Sequence, residues 1–123
     1  MPIRVLIVDD HPSFRSLARR LLVDEGFDVV GEAGDGRGAL QAAGELRPDL
    51  VLLDVQLPDV DGFGVAAALA GQPSPPEVVL VSSRSRADYG QRVGSSGTRG
   101  FIAKAELSGA LLRQLLTGGR TAS

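Results

Sequence analysis

The sequence predicts an α/β fold in which a five-stranded parallel sheet is covered by helices on both faces. Two observations support this prediction. Five short runs of β-branched and aliphatic residues alternate regularly with five segments of helical periodicity. The strand runs also lack the polar alternation of a half-exposed sheet, which is typical of strands buried on both sides. Because parallel strands need a crossover, each strand is expected to be followed by its own right-handed crossover helix.

The first strand is predicted at residues 3–8, where the apolar run is continuous and ends at Asp9-Asp10. The first helix is predicted at residues 12–25, with Pro12 suited to its first turn and Gly26 to its end. The residues that recur at i, i+3, i+4 and i+7 and are expected to face the core are Phe14, Leu17, Ala18 and Leu21.

The remaining strands are predicted at residues 28–33, 50–55, 78–82 and 99–103, and the helices at residues 37–46, 63–70, 86–95 and 106–116. The helix at 86–95 contains Gly90 and Gly94, each of which costs about 1 kcal/mol relative to Ala, so we expect it to be the least stable. Residues 1–117 are expected to form one domain. Residues 118–123 are expected to be a flexible tail or the start of a linker.

Composition and charge exclude several classes of function. A chain of 123 residues, 43% hydrophobic, fits one domain with a core. A net charge of −2 with scattered basic residues argues against direct nucleic-acid contact. Without cysteine and with a single histidine, a zinc site is not expected. No signal peptide and no apolar run of roughly 18 residues is found, so the protein is expected to be soluble and cytoplasmic, with no membrane contact.

Polar side chains that can do chemistry follow four of the predicted strands. Asp9 and Asp10 follow the first strand, Asp54 lies at the end of the third, Ser82 at the end of the fourth and Lys104 after the fifth. In open α/β sheets, ligands bind beyond the carboxyl ends of the strands. We therefore expect three carboxylates, a hydroxyl and an ammonium group to lie at one edge of the sheet.

This set of groups favours magnesium and phosphoryl chemistry. Carboxylates repel one another at close range, and a bound divalent cation compensates for that repulsion. Mg²⁺ prefers carboxylate oxygens and phosphate. A carboxylate can attack phosphorus to form an aspartyl-phosphate, while a metal ion, a lysine and a hydroxyl neutralise the phosphoryl oxygens.

The chain resembles response-regulator receiver domains of two-component systems over about residues 3–116. The motifs that support the resemblance are Val8-Asp9-Asp10-His11-Pro12, Leu53-Asp54-Val55-Gln56-Leu57-Pro58 with Asp61-Gly62, Val81-Ser82-Ser83, and Gly100-Phe101-Ile102-Ala103-Lys104. The resemblance implies a bacterial, flavodoxin-like (βα)5 fold with sheet order 2-1-3-4-5. It also implies a phosphoprotein switch and a sensor histidine kinase as its donor. The output would be a further domain or partner protein, with a homodimer through the last helices as an alternative.

The resemblance also implies a role for each site residue. Asp54 would be the phosphoacceptor, with Asp10 and Asp54 as side-chain ligands of Mg²⁺. Gln56 would bind the metal through its backbone carbonyl, and Asp9 mainly through a water. Ser82 and Lys104 would contact the phosphoryl oxygens. Phe101 would be the switch residue, which turns inward when Ser82 moves toward the phosphate. The chain would not be an enzyme beyond its own phosphotransfer and dephosphorylation.

Several alternatives stay open from the residues alone. Asp9-Asp10 could merely cap the first helix, and His11 is more simply a neighbour of that cap than a phosphorelay residue. The extra leucines of the last helix, Leu112 and Leu116, fit either a partner surface or a broad core face.

Rival functions are also conceivable. An Asp-based phosphatase would use the same aspartate, Mg²⁺ and lysine. A nucleotide-binding module would use the segment at residues 34–39, which imitates a G-x-G-x-x-A fingerprint.

Two features leave further questions. Ala105 stands where receivers commonly have proline after the lysine, so the isomer of the Lys104–Ala105 peptide bond is open. The chain is either a stand-alone receiver or the front of a longer regulator. The segment Asp10-His11-Pro12-Ser13-Phe14 resembles receivers that precede DNA-binding domains.

Overall fold

The computed structural model describes residues 2–84 and 88–121, with residues 118–121 described by their backbone alone. Five parallel strands form one sheet in the order β2-β1-β3-β4-β5, which confirms the predicted fold class and order. The strands are β1 (Arg4–Val8), β2 (Asp28–Ala33), β3 (Leu50–Asp54), β4 (Glu77–Ser82) and β5 (Gly100–Ala103). The helices are α1 (Pro12–Asp24), α2 (Gly36–Leu46), α3 (Gly62–Ala70), α4 (Gln91–Ser95) and α5 (Gly109–Thr121).

The core lies on both faces of the sheet because successive strand residues point to opposite sides. One face packs Val5, Ile7 and Leu52 against α1 and α5, and the other packs Leu6, Val8 and other strand residues against α2 and α3. All five residues of β3 are buried. Each large aliphatic side chain buried in this way contributes about 1.5–3 kcal/mol. The strands at the centre of the sheet are therefore firmly fixed, together with the side chains at their carboxyl ends.

The buried face of α1 differs from the predicted one. Leu17 is 44% exposed, whereas Ala18 and Leu22 are fully buried and form the centre of the face. With 3.6 residues per turn, a face centred on Ala18 and Leu22 leaves Leu17 at its rim. The end of the helix is as predicted, since Gly26 has a φ of 90° and its amide donates to the Val23 carbonyl.

The helix predicted at residues 86–95 is much shorter in the structure. Residues 85–87 lie outside the described part of the chain, and α4 begins only at Gln91. Gly90 has a φ of 58°, which a right-handed helix does not allow. The described part of this segment therefore contains a five-residue helix, in which Val93 is the buried residue.

The last helix begins later and ends later than predicted. Lys104–Glu106 forms a 3-10 turn, and α5 runs from Gly109 to Thr121 rather than over residues 106–116. Ser108 precedes the helix, and its hydroxyl oxygen accepts the Leu111 amide at 3.1 Å, as an N-cap residue does.

The leucines of α5 belong to the core. Leu112 is fully buried, and Leu115 and Leu116 pack against the core cluster of that face. Arg113 also holds the helix, because its guanidinium lies 4.4 Å from the centre of the Phe27 ring. The broad apolar stripe is thus explained by packing, and a homodimer through the last helices stays a prediction. In the described part of the chain, no helix is long and apolar enough to cross a membrane.

Candidate functional site

Three aspartates meet at the carboxyl edge of the sheet. β1 and β3 are adjacent, with Val8 paired to Leu53, so the residues that follow them come together. Asp9 is fully buried, Asp54 is 2% exposed and Asp10 is exposed. One carboxylate oxygen from each lies within 4.8 Å of the others. We call Asp9, Asp10 and Asp54 the acidic pocket.

Lys104 lies directly against the acidic pocket. Its Nζ is 2.5 Å from Asp9 Oδ2 and 3.3 Å from Asp54 Oδ2. The ammonium also lies 4.6 Å from the centre of the Phe14 ring, and the side chain is 14% exposed. The Lys104–Ala105 peptide bond is trans, which answers the question raised by Ala105. One cation thus lies between two buried carboxylates.

Burial changes the acidity of this site. The pKa of Asp54 is raised from 3.8 to about 6, first by burial and then by the negative charge of Asp9. The amide of Gln56 and the charge of Lys104 act in the opposite direction. Burial would lower the pKa of Lys104, but the hydrogen bond from Lys104 to Asp9 and the charges of Asp54 and Asp9 outweigh burial and raise it. Near neutral pH, Asp54 is therefore largely ionised and Lys104 is charged.

The loop after β3 folds back on Asp54. The Gln56 amide donates to Asp54 Oδ1 at 3.1 Å, and the Gly62 amide donates to the Val55 carbonyl at 2.6 Å. A Cβ at Gly62 would lie 2.4 Å from the Asp54 carbonyl oxygen, so only glycine allows this close approach. Asp61 caps α3 by accepting the Gly64 amide at 2.9 Å. The Asp61-Gly62 pair thus positions the loop that follows Asp54, while the metal role of the Gln56 carbonyl stays a prediction.

The interpretation of Asp9-Asp10 as a helix cap is wrong. The N-cap residue of α1 is His11, which makes no side-chain cap bond, and Asp9 Oδ1 instead accepts the His11 amide at 2.8 Å. The His11 ring belongs to the site, since its Nδ1 lies 3.0 Å from Asp10 Oδ1 and 3.1 Å from Asp9 Oδ1. This contact of His11 was not predicted from the sequence. The position of His11 directly after Asp9 and Asp10 was the signal that could have indicated it.

Ser82 lies at the end of β4 and is fully buried. Its hydroxyl is 2.8 Å from the Tyr89 hydroxyl and accepts the Arg84 amide at 3.0 Å. Neither Asp54 nor Lys104 is a hydrogen-bond partner of this hydroxyl. The role of Tyr89 was not predicted from the sequence, although Tyr89 is the only tyrosine in the sequence and lies shortly after β4.

Tyr89 also joins two phenylalanines. Its ring centre lies 5.8 Å from Phe63 in an edge-on arrangement and 5.8 Å from Phe101 in a tilted one. We call Phe63, Tyr89 and Phe101 the aromatic cluster. Arg92 on α4 lies 4.2 Å above the Phe63 ring and forms an ion pair of 2.9 Å with Asp61. The cluster therefore connects Ser82 to α4 and to the loop after β3.

The glycine-rich segment before α2 does not offer a free phosphate site. Asp35 caps the helix by accepting the Gly38 amide at 2.7 Å. The carboxylate of Asp59, from the loop after β3, accepts the amides of Gly36 and Arg37 at 2.8 and 3.0 Å. Both bonds lower the pKa of Asp59. Two carboxylates thus take the amides that a pyrophosphate would need.

Known proteins resemble this chain in sequence and structure. The response regulator receiver domain family matches residues 5–116. A putative transcriptional regulator of Pseudomonas aeruginosa is 40% identical over 103 residues, which cover 84% of this chain and 50% of that protein. The signal receiver domain of the putative response regulator NarL from Mycobacterium tuberculosis superposes with a TM-score of 0.81 at 35% identity, covering 94% of this chain and 98% of that one.

A third similar structure is that of a complex with a ligand. The CheX–CheY–BeF₃–Mg²⁺ complex from Borrelia burgdorferi matches with a TM-score of 0.80 at 25% identity, covering 96% of this chain and 89% of that one. The chain spans about half the length of the curated relatives it matches. The family match covers nearly all of the described residues, and the sheet order agrees with the resemblance seen in the sequence. The chain therefore belongs to the response regulator receiver domain family and is a receiver domain of a two-component response regulator.

Proposed function

We propose that this receiver domain is a switch that accepts a phosphoryl group on Asp54. The observation that carries the proposal is the position of Asp54, a buried carboxylate held by the Gln56 amide and by Lys104 at 3.3 Å. Burial of a charged side chain costs free energy, so a buried carboxylate at a strand end favours a functional role. Here the carboxylate is fixed in place and ionised near neutral pH, as a nucleophile must be.

The donor set of the acidic pocket fits Mg²⁺. The pocket supplies only hard oxygen ligands besides the His11 ring, and the exposed Asp10 leaves room for the waters that Mg²⁺ keeps. Asp10 and Asp54 would bind the ion through their side chains, Gln56 through its carbonyl, and Asp9 through a water. The ion would neutralise charge on the phosphoryl oxygens. The Borrelia burgdorferi CheY, described with BeF₃ and Mg²⁺, supports this assignment by similarity.

The chain's own residues do the rest of the chemistry. The Gln56 amide orients the Asp54 carboxylate, so that it can attack phosphorus while the bond from phosphorus to the donor's leaving group breaks. Lys104 loses part of its contact with Asp54 and neutralises a phosphoryl oxygen instead. Ser82 donates its hydroxyl to another phosphoryl oxygen after a local movement, and Phe101 follows that movement.

The partners follow from the same proposal. The donor is a sensor histidine kinase in the cytoplasm, and the output is an attached domain or a partner protein. Residues 1–117 would form the receiver, and residues 118–123 would begin a linker that continues α5 as far as Thr121. This chain spans about half the length of its relatives. That share is compatible with a stand-alone receiver and with the front of a longer regulator.

The main test uses intact-mass spectrometry after incubation with acetyl phosphate. With Mg²⁺, the wild-type chain is expected to gain the mass of one phosphoryl group, and Asp54→Ala is expected to gain none. Asp24→Ala, which removes an exposed acid at the end of α1, is the matched control and should behave as the wild type does. Omitting Mg²⁺ or introducing Asp10→Asn should strongly slow the reaction. Equal labelling of wild type and Asp54→Ala would refute the proposal.

A second measurement distinguishes the switch from a phosphatase. The position two residues after Asp54 holds Gln56, an exposed amide that cannot act as a general acid. We therefore expect one phosphoryl group taken up per chain and slow release afterwards. Many equivalents of phosphate released from varied phosphomonoesters would instead identify an enzyme.

A further inference from the structure

We propose that Tyr89 restrains the switch. In the unphosphorylated chain its hydroxyl is hydrogen-bonded to the Ser82 hydroxyl, and phosphorylation exchanges this bond for one from Ser82 to the phosphoryl group. The proposal rests on the proposed phosphorylation of Asp54, and it assigns to Tyr89 a positioning role that acts through Ser82.

The hydrogen bonds of Ser82 support this role. The Ser82 hydroxyl has one proton to donate and already accepts the Arg84 amide. Phosphoryl oxygens carry no proton near neutral pH, so Ser82 must donate to them. Among the described residues, the side chain hydrogen-bonded to this hydroxyl is Tyr89 at 2.8 Å, and neither Asp54 nor Lys104 is its partner. Tyr89 and a phosphoryl group would therefore compete for the same Ser82 hydroxyl.

The contacts of Tyr89 can transmit the loss of its hydrogen bond with Ser82 to the other rings and to α4. Its ring contacts both Phe63 and Phe101, and Arg92 of α4 lies over the Phe63 ring. α4 has only five residues and begins directly after Gly90, so few backbone hydrogen bonds oppose a shift of this segment. When Ser82 turns toward the phosphoryl group, Tyr89 loses its polar partner. The aromatic cluster and the α4 surface then rearrange together.

Tyr89 rather than Phe101 is the direct partner of Ser82. Phe101 has no hydroxyl, and the centre of its ring lies 5.8 Å from that of Tyr89. A movement of Ser82 therefore reaches Phe101 through Tyr89. The predicted switch role of Phe101 becomes the second step of a two-step relay.

The first experiment replaces Tyr89 with phenylalanine, which keeps the ring and removes the hydroxyl. Tyr89→Phe removes a bond that exists only in the free state. Its affinity for beryllofluoride, a phosphoryl analogue, in the presence of Mg²⁺ should therefore rise about fivefold, as expected for one neutral hydrogen bond. In a Ser82→Ala background the same replacement should have no effect. A purely structural role of Tyr89 would give the same change in both backgrounds, which would overturn the proposal.

The second readout needs no phosphoryl donor. The sequence has one tyrosine and no tryptophan, so tyrosine absorbance and fluorescence report on Tyr89 alone. Ser82→Ala should change the Tyr89 spectrum in the free chain, and adding Mg²⁺ with beryllofluoride to the wild type should change it in the same direction. An unchanged spectrum in Ser82→Ala would refute the contact itself.

The outcomes separate this proposal from the proposed function. If the wild type is phosphorylated and Tyr89→Phe binds beryllofluoride no more tightly, the role of Tyr89 is refuted and the function of Asp54 stands. If the wild type binds no beryllofluoride and takes no phosphoryl group, both proposals fail.

Discussion

The acidic pocket and the aromatic cluster lie at the same edge of the sheet but are held in different ways. In the pocket, two buried carboxylates share one ammonium at 2.5 and 3.3 Å. In the cluster, the centre of the Tyr89 ring lies 5.8 Å from that of Phe63 and 5.8 Å from that of Phe101, and one neutral hydrogen bond joins Tyr89 to Ser82. The groups that would perform the chemistry are thus fixed by charge at the ends of central strands. The groups that would respond are held by weaker contacts beside a short helix.

This difference has an energetic consequence. Removing one partner from a buried ion pair leaves an uncompensated charge and costs about 3–5 kcal/mol. A neutral hydrogen bond or a pair of aromatic rings contributes only about 0.5–1.5 kcal/mol. Substitutions in the acidic pocket should therefore change the free energy of unfolding several times more than substitutions around the aromatic cluster.

The largest effect is expected for Lys104→Ala. The substitution leaves Asp9 and Asp54 buried side by side without a cation, so the free energy of unfolding should fall by about 3 kcal/mol near neutral pH without metal. Urea denaturation measures this loss. Lys104→Arg keeps the charge and is the matched control. A loss below about 1 kcal/mol would show that Lys104 is effectively a solvent-exposed charge, and the comparison between the two regions would fail.

An intermediate effect of opposite sign is expected for Asp54→Asn. The pKa of Asp54 is raised to about 6, so the folded chain holds the proton more tightly than the unfolded chain does. The stabilisation from Asp54 is complete below its ordinary pKa of 3.8 and is lost as the pH rises through about 6. In metal-free solution near neutral pH, Asp54→Asn should therefore stabilise the fold by roughly 2 kcal/mol.

The pH dependence makes that prediction specific. The gain should disappear as the pH falls below 3.8, where Asp54 is protonated in both states. Asp24→Asn, at an exposed position on α1, is the matched control. A gain that is independent of pH would mean that burial of the charge is not its cause.

The same contrast explains how much the sequence could predict. The five strands and the positions of Asp9, Asp54 and Lys104 follow from apolar runs and from the polar residues that end them. A buried strand fixes the residue at its carboxyl end, so the acidic pocket was predictable without knowledge of any long-range contact. The fold class and sheet order were confirmed.

The aromatic cluster was not predictable in this way. Tyr89, which meets Ser82, lies directly before the positive-φ residue Gly90, and no periodic pattern encodes such a turn. The same glycine explains why α4 is five residues long rather than the ten-residue helix predicted at 86–95. Leu17 was misplaced because residues near the rim of a helix face satisfy the i, i+3 spacing as well as central ones do.

The smallest effect is expected for Arg92→Met, which tests the weakly held side of the comparison. The Arg92 guanidinium pairs with Asp61 at 2.9 Å and covers the Phe63 ring, and the two charged side chains are 58% and 50% exposed. Asp61 keeps its bond from the Gly64 amide, which is the larger cause of its lowered pKa. Methionine retains an apolar stem over the ring, so the free energy of unfolding should fall by less than about 1 kcal/mol, and by less still at high salt. A loss as large as that of Lys104→Ala would mean that α4 is anchored as firmly as the acidic pocket. In that case the segment around Tyr89 could not move at the low energetic cost that a switch requires.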